Sequence, residues 1–199
     1  MSKVITFSRT FPSYHPRKGE STFFLEKIHW GLIDLVHTKW LGCFEMLLDL
    51  NKHLPKKLIQ DFIDSIDDDI NFSDSTKGHT IRAGHRFKVG DWFSPCVWSG
   101  KPYNSKQIII APDIQVKKTW DFECHTEADD RESDWSFIIF NGNNYTCYQN
   151  EYLDPVLEAV SLNDGFSDPQ DFLNWVQPKN RNSKPLIGQI ICWNENIEY

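Results

Sequence analysis

The sequence predicts an α+β domain built around a small curved sheet or barrel. Two observations carry this. From Lys77 onward, short β-type segments alternate with Gly, Pro and Asn turns. Helical spacing, by contrast, is confined to a block before Lys77 and to a pair of short segments near residues 154–176. The resulting order of strand, helical block, strands, helix pair and strand belongs to the α+β class. With 199 residues the chain holds one substantial core, and we read it as one domain, 1–199, carrying an insertion.

Val4 to Phe7 reads as an opening strand, and the loop that follows holds Pro12, Pro16 and Gly19. Phe24, Ile28, Leu32, Leu35 and Val36 recur on one helix face, and Trp40, Phe44, Leu47 and Leu48 extend the pattern. Pro55 suits the first turn of another helix, with Leu58, Ile59, Phe62, Ile63 and Ile66 inward and the acidic run Asp67 to Asp69 at its end. Strands are expected at Thr80 to Arg82, Trp92 to Trp98, Gln107 to Ile110, Ile114 to Cys124 and Trp135 to Phe140. Asn141-Gly142-Asn143 makes a hairpin turn into Tyr145 to Tyr148. A helix from Asp154 to Leu162 should stop at Asp164-Gly165, where glycine takes the left-handed conformation. Ser167 as N-cap, Pro169 in the first turn and Gln170 as the capping-box partner begin the next helix, and Leu186 to Trp193 is the last strand.

Composition narrows the function classes. A formal charge of -7 argues against coating long duplex DNA, which needs a basic face. Eight Trp, fourteen Phe and six Tyr imply an aromatic core. No apolar run approaches the roughly 18 residues that span a bilayer, and MSKVITFSRTF lacks the apolar stretch of a signal peptide. Together these predict a cytoplasmic protein without a membrane partner. The five cysteines, Cys43, Cys96, Cys124, Cys147 and Cys192, lack Cys-x-x-Cys spacing and are expected as free thiols. Cys124 and His125 have no second pair at zinc spacing, so no metal site is expected. A nucleophile elbow, a phosphate-cradling Gly-rich loop and a dinucleotide fingerprint are all missing, so no cofactor is expected either. The acidic stretch from Glu127 to Asp134 reads as a solvated loop.

The segment KGHTIRAGHRFKVGDWF, from Lys77 to Phe93, resembles the signature of the ASCH family within the PUA-like superfamily. That signature is a Lys-x-x-Thr-x-Arg segment followed by a Gly-Asp turn, here Lys77, Thr80, Arg82, Gly90 and Asp91. The opening ITFSRTF, the segment NDGFSDPQDFLNW and the closing GQIICW add to the likeness, whereas residues 23–75 lie outside it and read as a helical insertion after the first strand. The resemblance implies a PUA-like β-barrel with flanking helices and a cleft that recognises RNA or a nucleotide. It also implies an alternative, because some members hydrolyse N4-acetylcytidine with a lysine, a threonine and an acidic residue. The first two fall on Lys77 and Thr80; the acidic position falls near Asp164, an aspartate where those members have glutamate.

The residues make a physical case of their own. In an extended segment Thr80 and Arg82 point to one face, and Gly78 lets the chain bend so that Lys77 joins them. Arg82 suits a phosphate or carbonyl edge, and a desolvated Lys77 would take a proton from Thr80 while Asp164 orients it or protonates a leaving amine. His79, His85, Arg86, Lys88, Lys101 and Lys106 form a locally basic stretch interleaved with Trp92, Phe93, Trp98 and Tyr103. That mixture fits a single strand or an extruded base, and it makes His85, Arg86, Lys101, Tyr103 and Lys106 candidate ligand contacts. Most of the aromatics are core by default, Tyr103 in its polar turn being the best exception. A third reading places a protein partner on the insertion, through Trp30, Trp40 and Phe44.

Overall fold

A computed structural model describes residues 3–36, 76–127, 134–141, 144–149, 155–176 and 185–199. Their order is β1 (Lys3–Phe7), α1 (Phe24–Val36), β2 (His79–Ala83), β3 (Trp92–Trp98), β4 (Gln107–Ile109), β5 (Ile114–Gln115), β6 (Lys118–Glu127), β7 (Asp134–Asn141), β8 (Asn144–Gln149), α2 (Pro155–Asn163), α3 (Pro169–Val176) and β9 (Leu186–Cys192). Beyond α1, the expected insertion lies outside the described residues, and with it Trp40 and Phe44.

The chain is α+β, but the described strands make two sheets and no closed barrel. One sheet runs β1-β3-β4 with β5 also on β3; the other runs β2-β9-β6-β7-β8. β1 lies parallel to β3, from Lys3 opposite Phe93 to Phe7 opposite Val97, whereas the second sheet is antiparallel throughout. β1 and β2 are edge strands, and where they meet a side chain stands in for a ladder. Arg82 Nη2 donates to the Thr6 carbonyl at 3.0 Å while its Nη1 donates to the Ile81 carbonyl at 2.9 Å. Farther along, Lys3 Nζ donates to the Arg86 carbonyl at 2.6 Å. Side-chain donors, and no backbone ladder among the described residues, link these two edges.

Two smaller expectations also change. The single strand expected from Ile114 to Cys124 is two, β5 and β6, because the chain changes sheets between them: Val116 N donates to the Asp91 carbonyl at 2.8 Å, and Lys117 N to the Cys192 carbonyl at 2.8 Å. The cap of α3 is Asp168, not Ser167. Its Oδ1 accepts from Gln170 N at 2.8 Å, because the capping residue directly precedes Pro169 at the first helical position.

The core is a chain of rings. Phe24 of α1 stands 5.3 Å from Phe166, Phe166 stands 5.6 Å from Phe172 of α3, Phe172 stands 5.6 Å from Phe137 of β7, and Phe137 stacks on Phe122 of β6 at 5.4 Å. Thus α1 and α3 are packed onto the second sheet through aromatic contacts, each adding about 1 kcal/mol beyond area burial. Cys96, Cys124 and Cys192 are buried free thiols.

β2 and β9 approach so closely that a Cβ on Gly188 would sit 2.0 Å from the Arg82 carbonyl, against backbone that cannot yield. Gly188→Ala is therefore expected to cost about 3 kcal/mol or more in urea unfolding. Gly100→Ala, where the nearest atom is Ser105 Cβ at 3.6 Å, should stay within about 0.5 kcal/mol of wild type.

Candidate functional site

Lys77 lies just before β2 and is fixed by backbone from three directions. Its N donates to the Lys27 carbonyl of α1 at 3.1 Å, it forms an isolated antiparallel bridge with Asp164, and Gly78 N donates to the Asn163 carbonyl at 2.9 Å. Gly31 permits the first contact, since a Cβ there would stand 2.8 Å from the Lys77 carbonyl oxygen. Asp164 is placed by the end of α2. Gly165, with φ +88°, turns the chain so that Phe166 N donates to the Ser161 carbonyl at 2.9 Å and Gly165 N to Leu162 at 2.9 Å. The predicted helix stop therefore delivers the acidic residue.

Within this frame the Lys77 ammonium donates to the Asp164 carboxylate and to the Asp164 carbonyl. Lys77 is 1 % exposed and Asp164 3 %. The Phe24 ring lies 4.2 Å and the Phe7 ring 5.8 Å from Lys77 Nζ, so the charge sits against aromatic faces. Lys27 Nζ donates to the Gly165 carbonyl at 2.6 Å, and the Arg82 guanidinium lies 5.3 Å from the Phe7 ring. His79, fully buried, has Nε2 3.1 Å from the Val160 carbonyl and Nδ1 3.8 Å from Asp164 Oδ1.

Burial sets the electrostatics. It lowers the Lys77 pKa to about 8 despite the opposing Asp164, and the charges of Arg82 and Lys27 act in the same direction as burial. Burial also raises the Asp164 pKa, against the pull of Lys77 and Arg82. Both partners are thus pushed toward their neutral forms. His79 is held far below its ordinary value by burial and by Lys77. Lys27 falls to about 8, also chiefly through burial.

The remaining candidates are dispersed. Thr80 is 1 % exposed on β2 opposite Ile191, on the strand face it shares with Arg82 by alternation. His85 and Arg86 are exposed; His85 Nε2 lies 3.2 Å from Asp121 Oδ1, and the Arg86 carbonyl receives Lys3 at the start of β1. Lys101, Tyr103 and Lys106 occupy the loop beyond Trp98, which pairs past the other end of β1. Four residues of strand separate these ends, about 13 Å at roughly 3.3 Å per residue. Tyr103 is 88 % exposed with φ +63° and leans on Trp98 at 5.4 Å. The structure therefore joins Lys77 with Asp164 and leaves the basic residues at two sites. Trp92, grouped with them in the sequence, is 52 % exposed near the first end.

An open cavity of about 350 Å³ lies at the start of α1, lined by Arg9, Thr10, Ser21, Thr22, Phe24 and Glu26 among others; neither Lys77 nor Asp164 lines it. Phe24 both lines this cavity and underlies Lys77 Nζ. Sequence reasoning missed the cavity, the Lys27 contact with Gly165 and the burial of His79 beside Asp164. Gly31 was a usable signal, because a glycine inside a helix costs about 1 kcal/mol and marks close approach. No group of three or more His, Cys, Asp or Glu among the described residues is placed to hold a metal ion, and no helix there is long and apolar enough to cross a membrane.

Removing one partner strands a buried charge. Lys77→Met is expected to cost about 3–5 kcal/mol in urea unfolding at pH 7. The pH dependence has a definite sign. The unfolded chain keeps the Lys77 proton up to about 10.5 while the folded chain releases it from about 8. Across that window the unfolded state binds more protons, so wild type should gain stability relative to Lys77→Met as pH rises from 8 to 10.5.

Comparison of the chain with protein-family models, with curated proteins and with solved structures finds no match.

Proposed function

We propose that this protein recognises a modified nucleoside or nucleotide and hydrolyses an N-acyl group from it, with Lys77, Thr80 and Asp164 in the chemistry and Arg82 in ligand recognition. The observation that carries the reading is the buried Lys77–Asp164 pair, both partners shifted toward neutrality. An apolar pair of similar volume often serves a fold as well or better, which favours a role for this pair beyond packing. The cavity at the start of α1, about 350 Å³, falls in the range of small-ligand pockets and shares Phe24 with the surroundings of Lys77, and the charge of -7 disfavours long nucleic acid.

In this scheme the Thr80 hydroxyl attacks the acyl carbon and its proton passes to Lys77 as the neutral amine. The tetrahedral intermediate collapses as Lys77 returns the proton to the leaving amine, leaving an ester on Thr80. Water, deprotonated by the same amine, releases the carboxylic acid and restores the hydroxyl. Asp164 orients Lys77 throughout. Lys77 and Thr80 are both sealed from solvent, so substrate contact requires the packing around them to open.

A second reading, recognition of single-stranded RNA without chemistry, is favoured by the exposed Tyr103 ring against Trp98, flanked by Lys101 and Lys106. If it holds, Tyr103→Ala weakens binding of a short single-stranded RNA by about 1–3 kcal/mol in a fluorescence titration.

The deciding experiment for the first reading is ultraviolet-monitored hydrolysis of N4-acetylcytidine. Wild type should turn it over, and Lys77→Ala, Thr80→Val and Asp164→Asn should each lose about 100-fold or more. Turnover undiminished in Lys77→Ala, or none by wild type, would contradict it.

A further inference from the structure

His79 is wholly buried, with its ring held between α2 and the segment after β9. Its Nε2 faces the Val160 carbonyl at 3.1 Å, and the Tyr199 ring stands edge-on at 5.6 Å. A carbonyl only accepts, so Nε2 carries the ring proton and Nδ1 presents a bare lone pair. Among the described residues that lone pair has no hydrogen-bond partner. It lies 3.8 Å from Asp164 Oδ1, the same oxygen that receives Lys77 Nζ. Two acceptors thus face each other in a dry pocket, an arrangement that costs free energy until a proton lies between them.

We propose that His79 is a positioning residue that draws the shared proton from Lys77 onto Asp164, by offering Nδ1 as the acceptor for the protonated carboxyl. One N–H bond of the Lys77 ammonium breaks and one O–H bond forms on Asp164. The charged pair becomes a neutral amine beside a carboxylic acid that donates to Nδ1, and the net charge of the group is unchanged. The charges around this centre act on both partners. Arg82 of β2 and Lys27 of α1 are cations that disfavour a third positive charge on Lys77, Arg82 also pulls Asp164 toward its carboxylate, and burial favours the neutral form of Lys77, of Asp164 and of His79. The Tyr199 hydroxyl is held protonated by burial and accepts from Asn163 Nδ2 at 3.1 Å, so it does not compete for the proton. This inference rests on Lys77 acting as the base of the proposed reaction, because the neutral amine is the form able to take the Thr80 proton.

Two variants separate acceptor from anchor. The amide nitrogen of His79→Gln reaches the Val160 carbonyl but leaves no acceptor at the Nδ1 position. The amide oxygen of His79→Asn supplies that acceptor and gives up the anchor. Nitrogen NMR of Lys77 Nζ and carbon NMR of the Asp164 carboxyl, at pH 7, report where the proton sits. His79→Gln should reduce the share of neutral amine roughly fivefold, the size of one net hydrogen bond, while His79→Asn keeps the wild-type share. Identical signals in wild type and His79→Gln, or equal losses in both variants, overturn the proposal. Should the variants fail to fold, the wild-type His79 Nδ1 resonance decides: a nitrogen accepting a hydrogen bond supports it, and a bare one overturns it. None of these readouts uses hydrolysis, so a shifted proton without turnover would sink the enzymatic reading and leave the proton's position intact.

Discussion

A lysine and an aspartate held together away from water constrain much of the described structure. Desolvating two charges costs several kcal/mol each, which their attraction offsets only with good geometry and further hydrogen bonds. Here the Asp164 carboxylate and carbonyl both take Lys77, and Phe24 and Phe7 present ring faces to the ammonium. Holding that geometry draws in backbone from α1, from the end of α2 and from the start of β2. Gly31 and Gly165 are the local concessions, one to close approach and one to a left-handed turn.

The same arithmetic explains the seam between the sheets. Arg82 is half-buried and spans from β2 to the Thr6 carbonyl, and Gln107 Nε2 reaches Thr6 Oγ1 at 2.7 Å. A cation on a carbonyl holds two strands at a distance a ladder could not, leaving an open edge near the pair. Arg82 then has two roles, bracing β1 and biasing Lys77 and Asp164 electrostatically. Phe24, the first ring of the chain that packs the core, also lines the open cavity at the start of α1.

Local rules made much of this legible. The helix stop at Asp164-Gly165 and the α1 stripe from Phe24 through Ile28 follow from glycine conformation and helical period, and both recur in the structure. The junction of Lys77 with Asp164, 87 positions apart, is non-local; only the family resemblance suggested it. Alternation could not reveal that Val116 and Lys117 switch sheets, because each half looks like strand. Nor could composition distribute the basic residues, which share a stretch of sequence yet lie at opposite ends of β1 and β3. The α1 stripe also gave no hint that Phe24 would carry an ammonium on its ring.

The central claim is that Lys77 and Asp164 are kept for chemistry and not for the fold. The most direct test replaces both at once, Lys77→Met with Asp164→Leu, and measures unfolding free energy and N4-acetylcytidine hydrolysis on the same preparation. The expected double variant is as stable as wild type or up to about 4 kcal/mol more stable, with hydrolysis abolished. A double variant destabilised as much as Lys77→Met alone, or one that still hydrolyses the substrate, would contradict it.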